Sequence, residues 1–185
     1  VHDRLRHMGG LNATLTTAQT VALTLNGITA DNMAQRIGDA NFSDVQWWAE
    51  WYADTGATAS NATVTVTYND GTTGNLTTFA AGGTVRAGRM IPLNQLIPAA
   101  ASGKYIRSID SVQLSASTAT AGNFGFTCTR PRLTMPLLLA NKMEIFDWAQ
   151  LGFPKIFNSS CLTIIELCST TSTGSVRGGG KIIHG

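Results

Sequence analysis

Across residues 62–68 the chain alternates without a break: Val64, Val66 and Tyr68 fall on one side, Thr63, Thr65 and Thr67 on the other, and Asn69-Asp70-Gly71 follows at once. A period of two puts the apolar set on one face of a strand and the threonines on the wet face, while Asn-Asp-Gly tolerates the positive φ of a tight turn. The segment predicts a β-hairpin, with residues 72–80 returning antiparallel. The same alternation recurs at 19–25, where Val21, Leu23 and Leu25 share a face. At 45–54 it sets Val45, Trp47, Ala49, Trp51 and Ala53 against Gln46, Trp48, Glu50, Tyr52 and Asp54. Large aromatics on both faces predict a strand covered on both sides. Further strands are expected at 89–93, at 109–116 (Ile109, Ser111 and Gln113 against Asp110, Val112 and Leu114) and at 123–129.

Composition points the same way. The chain has 25 Thr, 22 Ala, 19 Gly and 12 Ser but only 3 Glu and 4 Lys, a mixture poor in long-chain helix formers that excludes a helix bundle. One helix is predicted at 142–151: Asn141 can cap it, Glu144 stands in capping-box spacing, Ile145, Trp148 and Ala149 form a stripe, and Gly152 with Pro154 stops it. A single helical turn fits 31–36. After the helix, 161–168 reads as a strand, 169–174 as a turn, and 175–184 as a return strand weakened by Gly178-Gly179-Gly180. With 185 residues and no internal repeat, one domain is expected. The fold predicted is mainly β, an antiparallel β-sandwich of jelly-roll-like type with one short helix. It is preceded by an extended N-terminal arm over 1–20, hinged at Gly9-Gly10, so that 21–185 form the single β-sandwich domain.

Charged residues make up 13% of the chain, against about 25% in an average soluble protein, and the formal net charge is +2. The basic excess of a nucleic-acid binder is missing, so no nucleic-acid partner is expected. The apolar run over 135–140 is far shorter than the roughly 18 residues of a membrane span, and no membrane partner is expected.

Catalytic spacing is absent too. The three histidines, His2, His7 and His184, lie near the chain ends, where a rigid catalytic scaffold is rarest. The run Gly174-Ser-Val-Arg-Gly-Gly-Gly-Lys181 fails as a phosphate loop, because its first glycine is out of register and Ile182 replaces the magnesium-binding hydroxyl. Thr173 rules out Gly-x-Ser-x-Gly at Ser175. The carboxylates form no calcium loop, and no metal or cofactor site is expected. Trp48 and Tyr52 are candidates for an exposed sugar-binding or interfacial pair, with a core role as the competing reading.

Cys128, Cys161 and Cys168 form no CxxC. On a regular strand Cys161 and Cys168 would stand about 23 Å apart on opposite faces, far beyond the Cα limit of about 7 Å for a disulfide. Either Cys128 pairs with one of them, or bridges join neighbouring chains, or all are buried thiols.

Several segments resemble a family of tailed-bacteriophage virion proteins, the small β-rich chains of the head decoration (auxiliary or cement) type. They are Asp3-Arg4-Leu5 with His7 and Gly9-Gly10-Leu11, Arg89-Met-Ile-Pro-Leu93, Arg107-Ser-Ile-Asp-Ser-Val-Gln-Leu114, Thr120-Ala-Gly-Asn-Phe-Gly-Phe126 with Arg130-Pro131, Pro136-Leu-Leu-Leu-Ala-Asn141 and Cys161-Leu-Thr-Ile-Ile-Glu-Leu-Cys168. The resemblance covers most of the chain but rests on packing and turn motifs. The Gly178-Gly179-Gly180 run departs from it, since bulkier strand residues are expected there.

The resemblance implies a non-enzymatic, many-copy virion component, a homotrimer on the outer surface of the phage head, with the major capsid protein as partner. On this reading Arg4, Arg6, His2 and His7 of the arm reach acidic groups on a neighbour while Leu5 and Met8 anchor. Removing residues 1–10 should then abolish particle binding and leave the fold. A carbohydrate-binding module of a tail or fibre using Trp48 and Tyr52 is the alternative, as is a neck or tail subunit.

Overall fold

In a computed structural model of the chain, the residues described are 1–27, 33–119, 122–136, 143, 145–152 and 155–167. Among the described residues ten strands and two short α-helices follow in the order β1 (His2–Asn12), β2 (Gln19–Thr24), α1 (Met33–Ile37), β3 (Gln46–Trp51), β4 (Asn61–Tyr68), β5 (Thr73–Asn75), β6 (Phe79–Ala80), β7 (Met90–Pro92), β8 (Ile106–Leu114), β9 (Asn123–Pro131), α2 (Trp148–Leu151) and β10 (Leu162–Thr163), with two 3-10 turns, Asn94–Leu96 and Ala99–Ala101, between β7 and β8. All strand pairs are antiparallel. One sheet has the order β10-β1-β9-β3-β7 and the other β2-β8-β4-β5, with β6 also on β4.

The pairing is nested. β1 pairs with β9, β2 with β8, β3 with β7 and β4 with β5, and successive pairs alternate between the two sheets. That is the jelly-roll arrangement of a mainly β, antiparallel sandwich. It also changes the reading of the N-terminus. Residues 2–12 are extended, but they do not stand off from the domain as an arm, and the chain turns at 13–14 before β2. These residues are the first strand of the roll, and they pair with β9 from His2↔Pro131 to Asn12↔Asn123. Leu5 and Leu11 enter the core, and burying two leucines contributes about 1.5–3 kcal/mol each.

Gly9-Gly10 is correspondingly a bulge and not a hinge: the register of β1 against β9 shifts between Met8 and Leu11, and Gly10 has φ +86°. The bulge presses on Gly125 of β9, where a Cβ would stand 2.7 Å from Gly9 Cα. Only glycine fits that contact.

The hairpin after β4 forms as the alternation predicts. Gly71 closes it at φ +85°, with its N–H donating to Tyr68 O at 3.0 Å. β8 corrects the expected face assignment. Its alternation alone would separate Ile109 from Val112 and Leu114, yet all three are buried. A register shift removes the conflict: Thr65 faces Ser111 and Val66 faces Ile109, so Asp110 is the extra, bulged residue. Its carboxylate accepts from Thr67 Oγ1 at 2.7 Å and Ser108 Oγ at 2.8 Å.

The core lies between the sheets. Trp47, Trp51, Phe124 and Phe126 come from the first sheet and Val64, Val66, Ile106, Ile109 and Val112 from the second. Trp47 Nε1 donates across the gap to Ile106 O at 2.9 Å, and Trp51 stacks on Phe124 with centroids 5.9 Å apart.

α2 falls inside the predicted 142–151 helix. Its cap is Asp147, whose carboxylate accepts from Gln150 N–H at 2.8 Å, and Gly152 ends it in the left-handed conformation. The predicted caps Asn141 and Glu144 lie outside the described residues, as does the expected 169–184 hairpin. The strand expected over 161–168 is regular only at Leu162–Thr163.

Candidate functional site

β9 is buried on both faces, so something covers the outer face of the first sheet. On that side Thr127 and Thr129 of β9 lie between His7 and Arg4 of β1 and Trp48 and Gln46 of β3. The cover is made of two small clusters.

The first is sealed. Thr129 Oγ1 accepts from Trp48 Nε1 at 2.9 Å and pairs with His2 Nδ1 at 3.0 Å, and the His2 and Trp48 rings meet edge-on at 5.8 Å. Burial, and then the nearby N-terminal ammonium, push the His2 pKa down to about 4, so the ring is neutral at pH 7. Trp48 is 5% exposed. It is therefore a packing residue and not half of an exposed aromatic pair: the strand is covered on both sides, and its indole N–H is already used.

The second cluster is open. Glu50 sits at its centre, with Arg4 Nη2 at 3.5 Å from both carboxylate oxygens, His7 Nδ1 at 3.9 Å and the Tyr52 hydroxyl donating at 3.4 Å. The His7 and Tyr52 rings meet edge-on at 5.7 Å. Burial and the charge of Glu50 hold the Tyr52 phenol protonated, with its pKa raised. Tyr52 is 39% exposed. The arrangement offers an aromatic face, a carboxylate and two basic groups to a polar partner. Among the described residues Glu50 is its only carboxylate, without the second one that glycoside hydrolysis uses.

The structure thus joins residues drawn from two separate expectations: Arg4 and His7 from the supposed arm, Tyr52 from the aromatic strand. The other arm candidates scatter. Leu5 is in the core, Met8 packs partly against it, and Arg6 is exposed. Cys128 is a free, fully buried thiol whose pKa burial pushes well up, and Cys161 is free and exposed. Cys168 and His184 lie outside the described residues.

Sequence reasoning missed a third feature. Asp3 is fully buried, and its carboxylate takes Arg36 Nε at 2.7 Å, the Cys161 N–H at 2.9 Å and the Ser160 hydroxyl at 3.2 Å. Arg132 Nη2 adds an ion pair at 3.7 Å. Burial alone would raise the Asp3 pKa, but the Arg36 bond and charge with the other two donors outweigh it and lower it. The node ties α1 and the 155–163 segment to β1. No sequence signal marks it, since its partners are 33 and 157 residues away along the chain.

Among the described residues no group of three His, Cys, Asp or Glu side chains is placed to hold a metal ion, and no helix is long and apolar enough to cross a membrane. The large exposed apolar side chains concentrate late in the chain, at Met135, Met143, Ile145, Leu162, Ile164 and Leu167. In comparisons with known proteins, no family model, curated protein or solved structure matches the chain.

Proposed function

We propose that the chain is a non-enzymatic structural subunit that assembles with copies of itself and with a shell, of the virion head-decoration type suggested by the resemblance in its sequence. The observation that carries this reading is the number of exposed apolar side chains, Met135, Met143, Ile145, Leu162, Ile164 and Leu167, that the described residues late in the chain carry beside a well-packed core. Surfaces of that kind mark places where another protein covers them. The low charge supports it, because a surface of Thr, Ser, Ala and Gly loses little rotamer entropy and little solvation when subunits meet. Jelly rolls also serve as viral shell domains, a likeness at the level of fold only. The implied setting is the outer surface of a phage head, with the major capsid protein as partner and a homotrimer as the unit. Quantitative gels of purified particles test it: the chain should approach the copy number of the major shell protein, and its absence from particles would end the reading.

A second reading rests on Tyr52, whose half-exposed ring stands beside Glu50, Arg4 and His7. An aromatic face flanked by hydrogen-bonding groups suits a carbohydrate, and jelly rolls also include lectin domains. A glycan array with Tyr52→Ala as control tests it: sugar binding lost in the variant supports the lectin reading, and no binding at millimolar ligand retires it.

A further inference from the structure

We infer that copies of this chain join by strand addition, the overhanging segment 164–167 of one copy lying along the open edge of β1 in the next. On the β9 side, β1 is paired along almost its whole length. On its other side the ladder is short: His2↔Thr163, Asp3↔Leu162 and the Arg4 N–H donating to Cys161 O at 2.7 Å. Among the described residues no strand pairs with β1 beyond Arg4 on that side. Arg6, His7 and Gly10 along this stretch are exposed.

The partner for that edge is present in every copy. Because β10 runs antiparallel to β1, the chain after Thr163 heads past Val1 and off the end of the sheet. Ile164 and Leu167 are 69% and 79% exposed there. The run Leu162-Thr-Ile-Ile-Glu-Leu167 has the β-branched, apolar character of a strand, but among the described residues it pairs only through its first two residues. A copy cannot use its own run to cover its own edge, since residues 161–163 are already bonded at residues 2–4 and direct the rest the other way.

Charge selects a second copy as the occupant. The open edge carries the exposed cationic Arg6, and the overhanging run carries the exposed Glu166. An unpaired edge is a template for another strand, and main-chain hydrogen bonds supply the affinity when an extended segment is added.

The inference rests on the assembly reading only in that copies must meet. It is tested on the full chain by sedimentation velocity across a concentration series. The native chain should self-associate, and Ile164→Asn with Leu167→Asn should raise the dissociation constant at least about tenfold, with an unchanged near-ultraviolet circular dichroism spectrum because both side chains are exposed. Glu166→Arg should weaken association, and adding Arg6→Glu in the same chain should restore it. Undiminished association of the Asn double variant, or no restoration by Arg6→Glu, overturns the strand pairing and leaves the assembly reading standing. A native chain that stays monomeric throughout overturns both.

Discussion

Arg36 clasps Asp3 with two bonds, Nε to Oδ2 at 2.7 Å and Nη2 to Oδ1 at 2.5 Å, where the carboxylate is wholly buried and the guanidinium nearly so. A buried pair of this kind does little for stability relative to an apolar pair, but removing one partner strands a charge. Asp3→Asn should cost about 3–5 kcal/mol, measured by guanidinium denaturation. A loss below about 1 kcal/mol would mean that water reaches Arg36 and Arg132 and that the node is not closed.

Stability should fall in acid in two stages. His2 stays neutral in the folded chain down to about pH 4, whereas in the unfolded chain it protonates near 6.5. Unfolding therefore takes up a proton between those values, and stability declines as pH drops through them. Asp3, with its folded pKa lowered, adds stability above its unfolded value near 3.8 that is lost as pH falls further through the folded value. His2→Asn should flatten the denaturation midpoint between pH 6.5 and 4; an unchanged slope there would contradict a buried neutral ring.

Deleting residues 1–10 should abolish cooperative unfolding. The deletion removes the strand between β10 and β9, takes Leu5 out of the core and removes Asp3. A truncated chain with native near-ultraviolet circular dichroism would show instead that β1 is dispensable.

Trp48→Ala and Tyr52→Ala should differ sharply although both side chains lie on one strand face. Trp48→Ala empties a buried site and removes the indole bond to Thr129, a loss of about 3–5 kcal/mol. Tyr52→Ala removes an exposed ring and should change stability by only about 0.5 kcal/mol. Denaturation midpoints decide this, and equal losses would refute the assignment of the two residues.

Cys161 should react with a maleimide in the native protein well before Cys128. Cys161 is exposed, while Cys128 is fully buried with its thiol pKa pushed up. Peptide mapping of briefly labelled protein should find the label on Cys161; Cys128 labelled at the same rate would show that the core opens readily. If Cys161 bridges neighbouring chains, reductant will change the mobility of the protein on a gel.

Period-two alternation, an Asn-Asp-Gly turn and the scarcity of Glu and Lys made the β class, the β4–β5 hairpin and several strands legible in the sequence, because those signals act between residues close along the chain. The place of residues 2–12 was not legible. Their charge and two glycines look like a tethered arm, and only β9, more than a hundred residues away, makes them a sheet strand with Gly9 packed on Gly125. Face assignment failed at Ile109 for a related reason: a bulge is an agreement between two strands, invisible in either alone. Trp48 and Tyr52 share a face by alternation, yet His2 and Thr129 bury one, while the other, beside His7 and Glu50, stays 39% exposed. Local pattern determined what kind of element each segment forms. Which charges meet, as at Asp3 and Glu50, was decided by tertiary structure, since Coulomb and hydrogen-bond energies depend on distances that only the completed fold creates.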